Sequence, residues 1–194
     1  ERENGLPKIQ ITDLKTGTFF ELDNIPHQVV SYEHSKTGRA GAVLRTKIRN
    51  LNTGAVYERT FKGSDQFEEA DIARRHGQFL YADGTSATFM ESDTFEQYEI
   101  TVAKLGSDLK YLKEGTETDL VLYNGTLMGV MLPAKVDLAV TYTEPGFKGD
   151  TQSGTLKPAT LETGLEVNVP LFIKQGEIVR ISTQTGQYVE RVNG

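Results

Sequence analysis

Hydrophobic residues in this chain come in short bursts, not in helical stripes. Segments rich in Val, Ile, Leu, Tyr, Phe and Thr are each closed by one of nineteen glycines, the spacing of short strands joined by turns. In the first third, residues 18–22, 26–32 and 41–48 are expected as strands, and Asn52-Thr53-Gly54 turns the chain into another at 56–61. Along this hairpin Leu44, Thr46 and Ile48 share one parity while Val43, Arg45, Lys47 and Arg49 take the other, so the cations project from one sheet face. Residues 63–70 follow as an expected connector.

A second cycle starts at 78–81, turns at Asp83-Gly84 into 87–90, and closes with a hairpin of 120–123 and 127–132 around Asn124-Gly125, ended by Pro133. Between these strands, residues 94–98 and 102–112 are expected to add a helical turn or two; Gly106 and Asp108 argue against a long helix. A third cycle runs through 135–142, a glycine-rich stretch at 145–154, strands at 166–173 and 178–183, and a turn at Thr185-Gly186 into 188–192. The expected fold is therefore all-β: three consecutive small barrels of about 60 residues, a size compatible with OB-like folds.

Charge adds a local feature. Between Ser35 and Asn50 lie Lys36, Arg39, Arg45, Lys47 and Arg49 and no acid, although the chain carries a net charge of -6. Residues 8–66 hold nine Lys/Arg against six Asp/Glu, and residues 67–194 hold eleven against nineteen. Such asymmetry points to an anionic partner, nucleic acid or an acidic membrane surface, and a solvated strand face is the plain alternative.

The chemical inventory argues against an enzyme. His27, His34 and His76 share no metal-ligand spacing, so no metal site is expected, and the absence of cysteine excludes a disulfide framework, a thiolate nucleophile and a cysteine zinc site. There is no Gly-x-Ser-x-Gly elbow and no phosphate loop, so no catalytic residue and no cofactor is expected. No apolar run approaches the roughly 18 residues that span a bilayer, and a soluble chain without a membrane partner is expected.

A family resemblance emerges near the C-terminus. Gly149-Asp150-Thr151 and the segment 157–177, with Lys157, Gly164, Val169-Pro170 and Gly176 at matching spacing, closely resemble the C-terminal signature of bacterial translation elongation factor P. Thr12-Asp13-Leu14, Leu51-Asn52-Thr53-Gly54 with Glu58-Arg59-Thr60-Phe61, Tyr81 with Asp83-Gly84, and Phe89-Met90 with Thr94-Phe95-Glu96-Gln97 resemble the same family, so the likeness covers nearly the whole chain.

The resemblance implies an N-terminal SH3/KOW-like barrel over 1–70 with a tip loop at 35–42, then OB-fold barrels at 71–134 and 135–194, in an elongated L-shaped, tRNA-like arrangement. It implies a monomeric, non-enzymatic factor that contacts both ribosomal subunits between the P and E sites and relieves stalling at consecutive prolines. The physical route is orientation: the P-site peptidyl-tRNA is held in a reactive geometry. Arg39 falls at the tip that reaches the tRNA acceptor end and that many members modify, with Lys36 as the alternative if the register slips. Where the position is Arg, either a glycosyltransferase adds rhamnose or the residue stays unmodified. Lys36, Arg39, Arg45, Lys47 and Arg49 become tRNA- or rRNA-binding residues. Gly149, Asp150 and Thr151 are implied to meet mRNA at the E-site codon, and Tyr188 with Arg191 to contact RNA. The expected location is the bacterial cytoplasm, or an organelle interior if a transit peptide was removed. Ala40 departs from the family's Gly after the tip residue and loses that residue's tolerance of positive φ. A generic OB-fold RNA-binding protein outside elongation is the alternative reading.

Overall fold

A computed structural model describes residues 7–36, 41–146 and 156–192. The first six strands, β1 (Lys8–Gln10), β2 (Phe19–Leu22), β3 (Ile25–Lys36), β4 (Ala42–Asn50), β5 (Val56–Lys62) and β6 (Gln66–Glu69), form a sheet ordered β1-β6-β2-β3-β4-β5. The next five, β7 (Ile72–Ala82), β8 (Ser86–Glu91), β9 (Gln97–Thr101), β10 (Glu117–Tyr123) and β11 (Thr126–Met131), are ordered β11-β10-β7-β8-β9. The last five, β12 (Lys135–Thr143), β13 (Leu156–Leu161), β14 (Glu166–Pro170), β15 (Ile178–Ser182) and β16 (Tyr188–Val192), are ordered β14-β13-β12-β15-β16. The described residues thus form three successive β-domains, with one short α-helix, α1 (Val102–Leu105), and 3-10 segments at Ile11–Asp13 and Gly106–Tyr111.

The second and third sheets share one connectivity. In each, the first strand sits centrally between the second and fourth, and the third and fifth strands approach one another to curl the sheet toward closure, the strand order of an OB barrel. Both first strands carry a bulge, with Leu80 and Thr141 as the extra residues, which bends the strand so that it serves both sides of the curl. The Asn124-Gly125 turn has positive φ at both positions (51° and 77°), the geometry that this pair of residues favours in a tight hairpin.

Four local expectations are corrected. Residues 66–69 are not connector but strand β6, inserted between β1 and β2. Residues 94–98 form no helical turn; they lead through a hairpin into β9. Strand β13, outside the expected set, pairs with both β12 and β14. Strand β14 ends at Pro170, short of residue 173. Strand β6 is fixed by pairing with the sequence-distant β1 and β2, β9 and β13 by pairing with neighbouring strands, and β14 stops where its partner β13 begins, at the Leu156–Pro170 pair; short-range pattern encodes none of these pairings.

Each domain has its own core. Phe20 sits fully buried in the first, edge-on to Phe61 and Phe67. Phe89 and Leu120 are fully buried in the second, as are Leu138 and Ile173 in the third. A fourth apolar cluster joins the first two domains: Phe19, Leu51 and Ala70 from one, Val121 and Met128 from the other. Strand pleat explains it. Phe20, Leu120 and Leu122 point into their barrels, so Phe19 and Val121 point out, toward each other's domain. The β4–β5 turn docks closely on α1: a Cβ at Gly54 (φ 78°) would lie 2.8 Å from Lys104 Cα. Polar contacts reinforce the seam, with Tyr123 Oη donating to Glu21 Oε1 at 2.9 Å and the Arg74 guanidinium 5.4 Å from the Phe19 ring centroid.

The second and third domains meet through more polar contacts. Thr163 donates to the Lys110 carbonyl, Thr183 to the Pro133 carbonyl, and Lys113 lies 3.7 Å from Glu162. Tyr111 packs against the third core.

His27 is a buried titratable group of the first domain, 1% exposed. Its Nδ1 faces the Ile25 carbonyl at 2.8 Å and its Nε2 the Tyr57 hydroxyl at 2.7 Å. A carbonyl only accepts, so Nδ1 carries the proton and the neutral ring accepts from Tyr57 at Nε2. Burial pushes the imidazole below its ordinary pKa. The unfolded chain therefore takes up a proton first as pH falls below about 6.5, and this contribution to stability, complete above that pH, declines until the folded pKa is passed. Melting temperature measured from pH 8 to 5 should fall more steeply for the native chain than for His27→Gln; parallel curves would remove His27 from the account.

Candidate nucleic-acid interface

The β3–β4 hairpin runs past the barrel that anchors it. β2 pairs with β3 only as far as Gln28, whereas β3 continues to Lys36, paired on one side with β4, and β5 extends the arm on the other side of β4. Twelve residues of β3 span about 40 Å at strand rise. Leu44 and Ile48 are fully buried and Thr46 donates to the Arg59 carbonyl at 2.8 Å, which fixes the inner face and turns Arg45 and Lys47 outward.

The outward face is mixed in charge. Arg45 stands opposite Glu33 and Thr60, and Lys47 opposite Ser31 and Glu58. Even so, among the described residues neither Arg45 nor Lys47 lies within ion-pair distance of a carboxylate. Both remain available to a ligand. Lys62, opposite Val43 on the same exposed face, is a further cation that sequence reading passed over. The β4–β5 register, set by the Asn52-Thr53-Gly54 turn, was the signal that could have found it.

Arg49 behaves differently. Its guanidinium donates to Asp108 on the second domain at 3.0 Å, with both side chains largely covered. It shares parity with Arg45 and Lys47 but works as a strut between domains. Arg39, the residue expected at the tip, and the Lys36 side chain lie outside the described residues, as do Gly149, Asp150 and Thr151; the backbone of Lys36 still pairs with Ala42.

In the third domain Tyr188 is half-buried against the core, and Arg191 donates to Glu177 at 3.1 Å while its guanidinium lies 5.6 Å from the Phe172 ring centroid. The Lys174 amide, donating to Glu177, and then Arg191 hold that carboxyl below its usual range. Tyr188 also lines a groove with Tyr142, Leu156, Pro158, Asn168 and Gln187. It lies over β13, β14 and the β15–β16 turn, the face on which OB folds take oligonucleotides. Among the described residues, no group of three or more His, Cys, Asp or Glu is placed to hold a metal ion, and no helix is long and apolar enough to cross a membrane.

Three family models match the domains in turn: the elongation factor P KOW-like domain over residues 10–67, the elongation factor P OB domain over 72–130, and the elongation factor P C-terminal domain over 136–191. The chain belongs to the elongation factor P family. Its sheets supply the structural counterpart: the KOW-like match covers the sheet that bears the long hairpin, and the OB match covers the second, OB-ordered sheet. As a member of the elongation factor P family it is a translation elongation factor. Among solved structures, the chain is similar to eukaryotic translation initiation factor 5A from Methanococcus jannaschii, with 23% identity, 66% of this chain and 96% of that chain covered, and a TM-score of 0.43. It is also similar to a translation initiation factor eif-5a family protein from Naegleria fowleri, at 16% identity with the same coverage and a TM-score of 0.39.

Proposed function

We propose that this elongation factor P family member binds the ribosome between the P and E sites and speeds peptide-bond formation at consecutive prolines by positioning the peptidyl-tRNA. One observation carries the reading: the family's three domains follow in order, and the first raises a long hairpin whose exposed Arg45 and Lys47 have no ion-pair partner among the described residues. Proline is a poor nucleophile with a restrained ring, so a factor that fixes the tRNA can help without supplying an acid or base. Arg45 and Lys47, with Lys36, contact tRNA or rRNA phosphates; guanidinium and ammonium differ there, as Arg forms a planar fork and Lys a point charge. Arg49 acts through its strut to Asp108. The division of labour follows segments 1–70, 71–134 and 135–194, with Gly149, Asp150, Thr151, Tyr188 and Arg191 meeting RNA near the E-site codon.

Arg39 is the residue for a sugar added by a glycosyltransferase, and added mass on the peptide that contains it is the direct readout. The test of function is in-vitro translation of a Pro-Pro-Pro reporter with and without the purified protein. Full-length product should rise with the factor, while a reporter lacking prolines should not change. If neither the modified nor the unmodified protein relieves the stall, the proposal is lost.

A further inference from the structure

The β8–β9 hairpin of the second domain carries an aromatic knob that neither its barrel nor the domain seam uses. Phe95 is 69% exposed, and its backbone sits at φ 60°. The other described non-glycine residues with positive φ are Asp23, Asn24 and Asn124, types that tolerate that region; a phenylalanine there is strained. Strain held on an exposed side chain is a reason to look for function at that spot.

The loop beneath Phe95 is tightly braced. The Glu91 amide donates to the Glu96 carbonyl at 2.8 Å, the Phe95 amide to the Glu91 carbonyl at 3.0 Å, and the Ser92 amide to the His76 carbonyl of β7 at 2.9 Å. The Tyr98 hydroxyl lies 3.0 Å from Glu96 and 3.3 Å from Glu91, a carboxylate that is itself buried and 3.7 Å from Arg75. The phenyl ring is thus presented on a stiff support, which lowers the ordering cost of binding.

The surrounding charge selects the partner. Asp93, Glu96 and Glu99 are exposed on the same hairpin, with no cation among residues 91–99. Arg75 is taken by Glu91, and His76 sits 3.1 Å from Asp119 and 4.0 Å from Glu117. A negative surface of this kind repels nucleic-acid phosphates and complements a basic protein.

We infer that Phe95 and its acidic hairpin form a protein-docking knob that seats in an apolar slot on a basic protein of the ribosome, separate from the cationic hairpin that faces RNA. The inference rests on the proposed ribosomal function. To test it, a photo-reactive benzoyl-phenylalanine is placed at position 95, and at Tyr81 as an exposed control, and each protein is irradiated on purified bacterial ribosomes. The expected result is a crosslink at 95 that survives ribonuclease and yields to protease, with the control much weaker. In parallel, Phe95→Gly should keep or raise the melting temperature, since glycine relieves the positive φ, while weakening ribosome binding about tenfold or more. Crosslinking to RNA would overturn the inference. So would ribosome binding of native strength by Phe95→Gly, or the absence of any crosslink from a bound factor; each leaves the proposed function standing. Failure of the native protein to bind ribosomes would remove both.

Discussion

Arg39→Ala is expected to lower the maximal rate of Pro-Pro-Pro synthesis by about ten- to a hundredfold, the range by which misplacement of a reacting group slows a step governed by orientation. Affinity for the ribosome should change little by comparison. The reason is a division between reach and grip. Position 39 falls in the sequence between β3 and β4, whose long strands stand on a core built by Leu44, Ile48 and Phe20. Arg45, Lys47 and Lys62 stand exposed on β4 and β5 and, in the proposed function, are the phosphate contacts. Removing one of those contacts should weaken binding across the board and reduce the salt slope by about 1 for each phosphate lost. Stimulation measured against factor concentration separates the two: Arg39→Ala should lower the plateau, whereas Arg45→Ala and Lys47→Ala should shift the midpoint. A plateau of native height for Arg39→Ala would reduce Arg39 to one more phosphate contact.

Val121→Asp is expected to open the seam between the first and second domains and to abolish stimulation while leaving Arg39 in place. Val121 is 2% exposed and packs with Met128 against Phe19, Leu51 and Ala70. Burying a carboxylate in this seam costs several kcal/mol of desolvation even with Arg74 directly opposite on β7, because pairing would draw that guanidinium off the Phe19 ring. The cheaper escape is separation, because each domain retains its own core. The Arg49–Asp108 pair, the Tyr123–Glu21 hydrogen bond and the fit of Gly54 on α1 would be lost together. Small-angle scattering should show a more extended molecule, and calorimetry a first-domain transition decoupled from the second. An unchanged scattering profile with full activity would mean that the seam does not set the hairpin's direction.

Parts of this architecture are written locally. The pleat alternates side chains strictly, so the outward placement of Arg45 and Lys47 against buried Leu44 and Ile48 was legible from parity alone. The same holds for the hairpins at Asn52-Thr53-Gly54 and Asn124-Gly125, where turn chemistry fixes the geometry within a few residues. The segment 94–98 was not legible: Glu96-Gln97-Tyr98 suits a helix or a strand, and pairing with β8 decided it. Arg49 shows the limit most clearly, since its partner Asp108 is 59 residues away in another domain.

By itself, the sequence determined an all-β chain of three small domains, a basic hairpin on an acidic protein, and a family signature spread along its length. The tertiary structure alone decided which cations face solvent and which brace the domains, that Phe19 and Val121 fill a seam, and that Phe95 stands exposed on a strained, acidic loop. Strand periodicity and turn chemistry act over a few residues, while seams, ion pairs across domains and exposure depend on which distant surfaces meet.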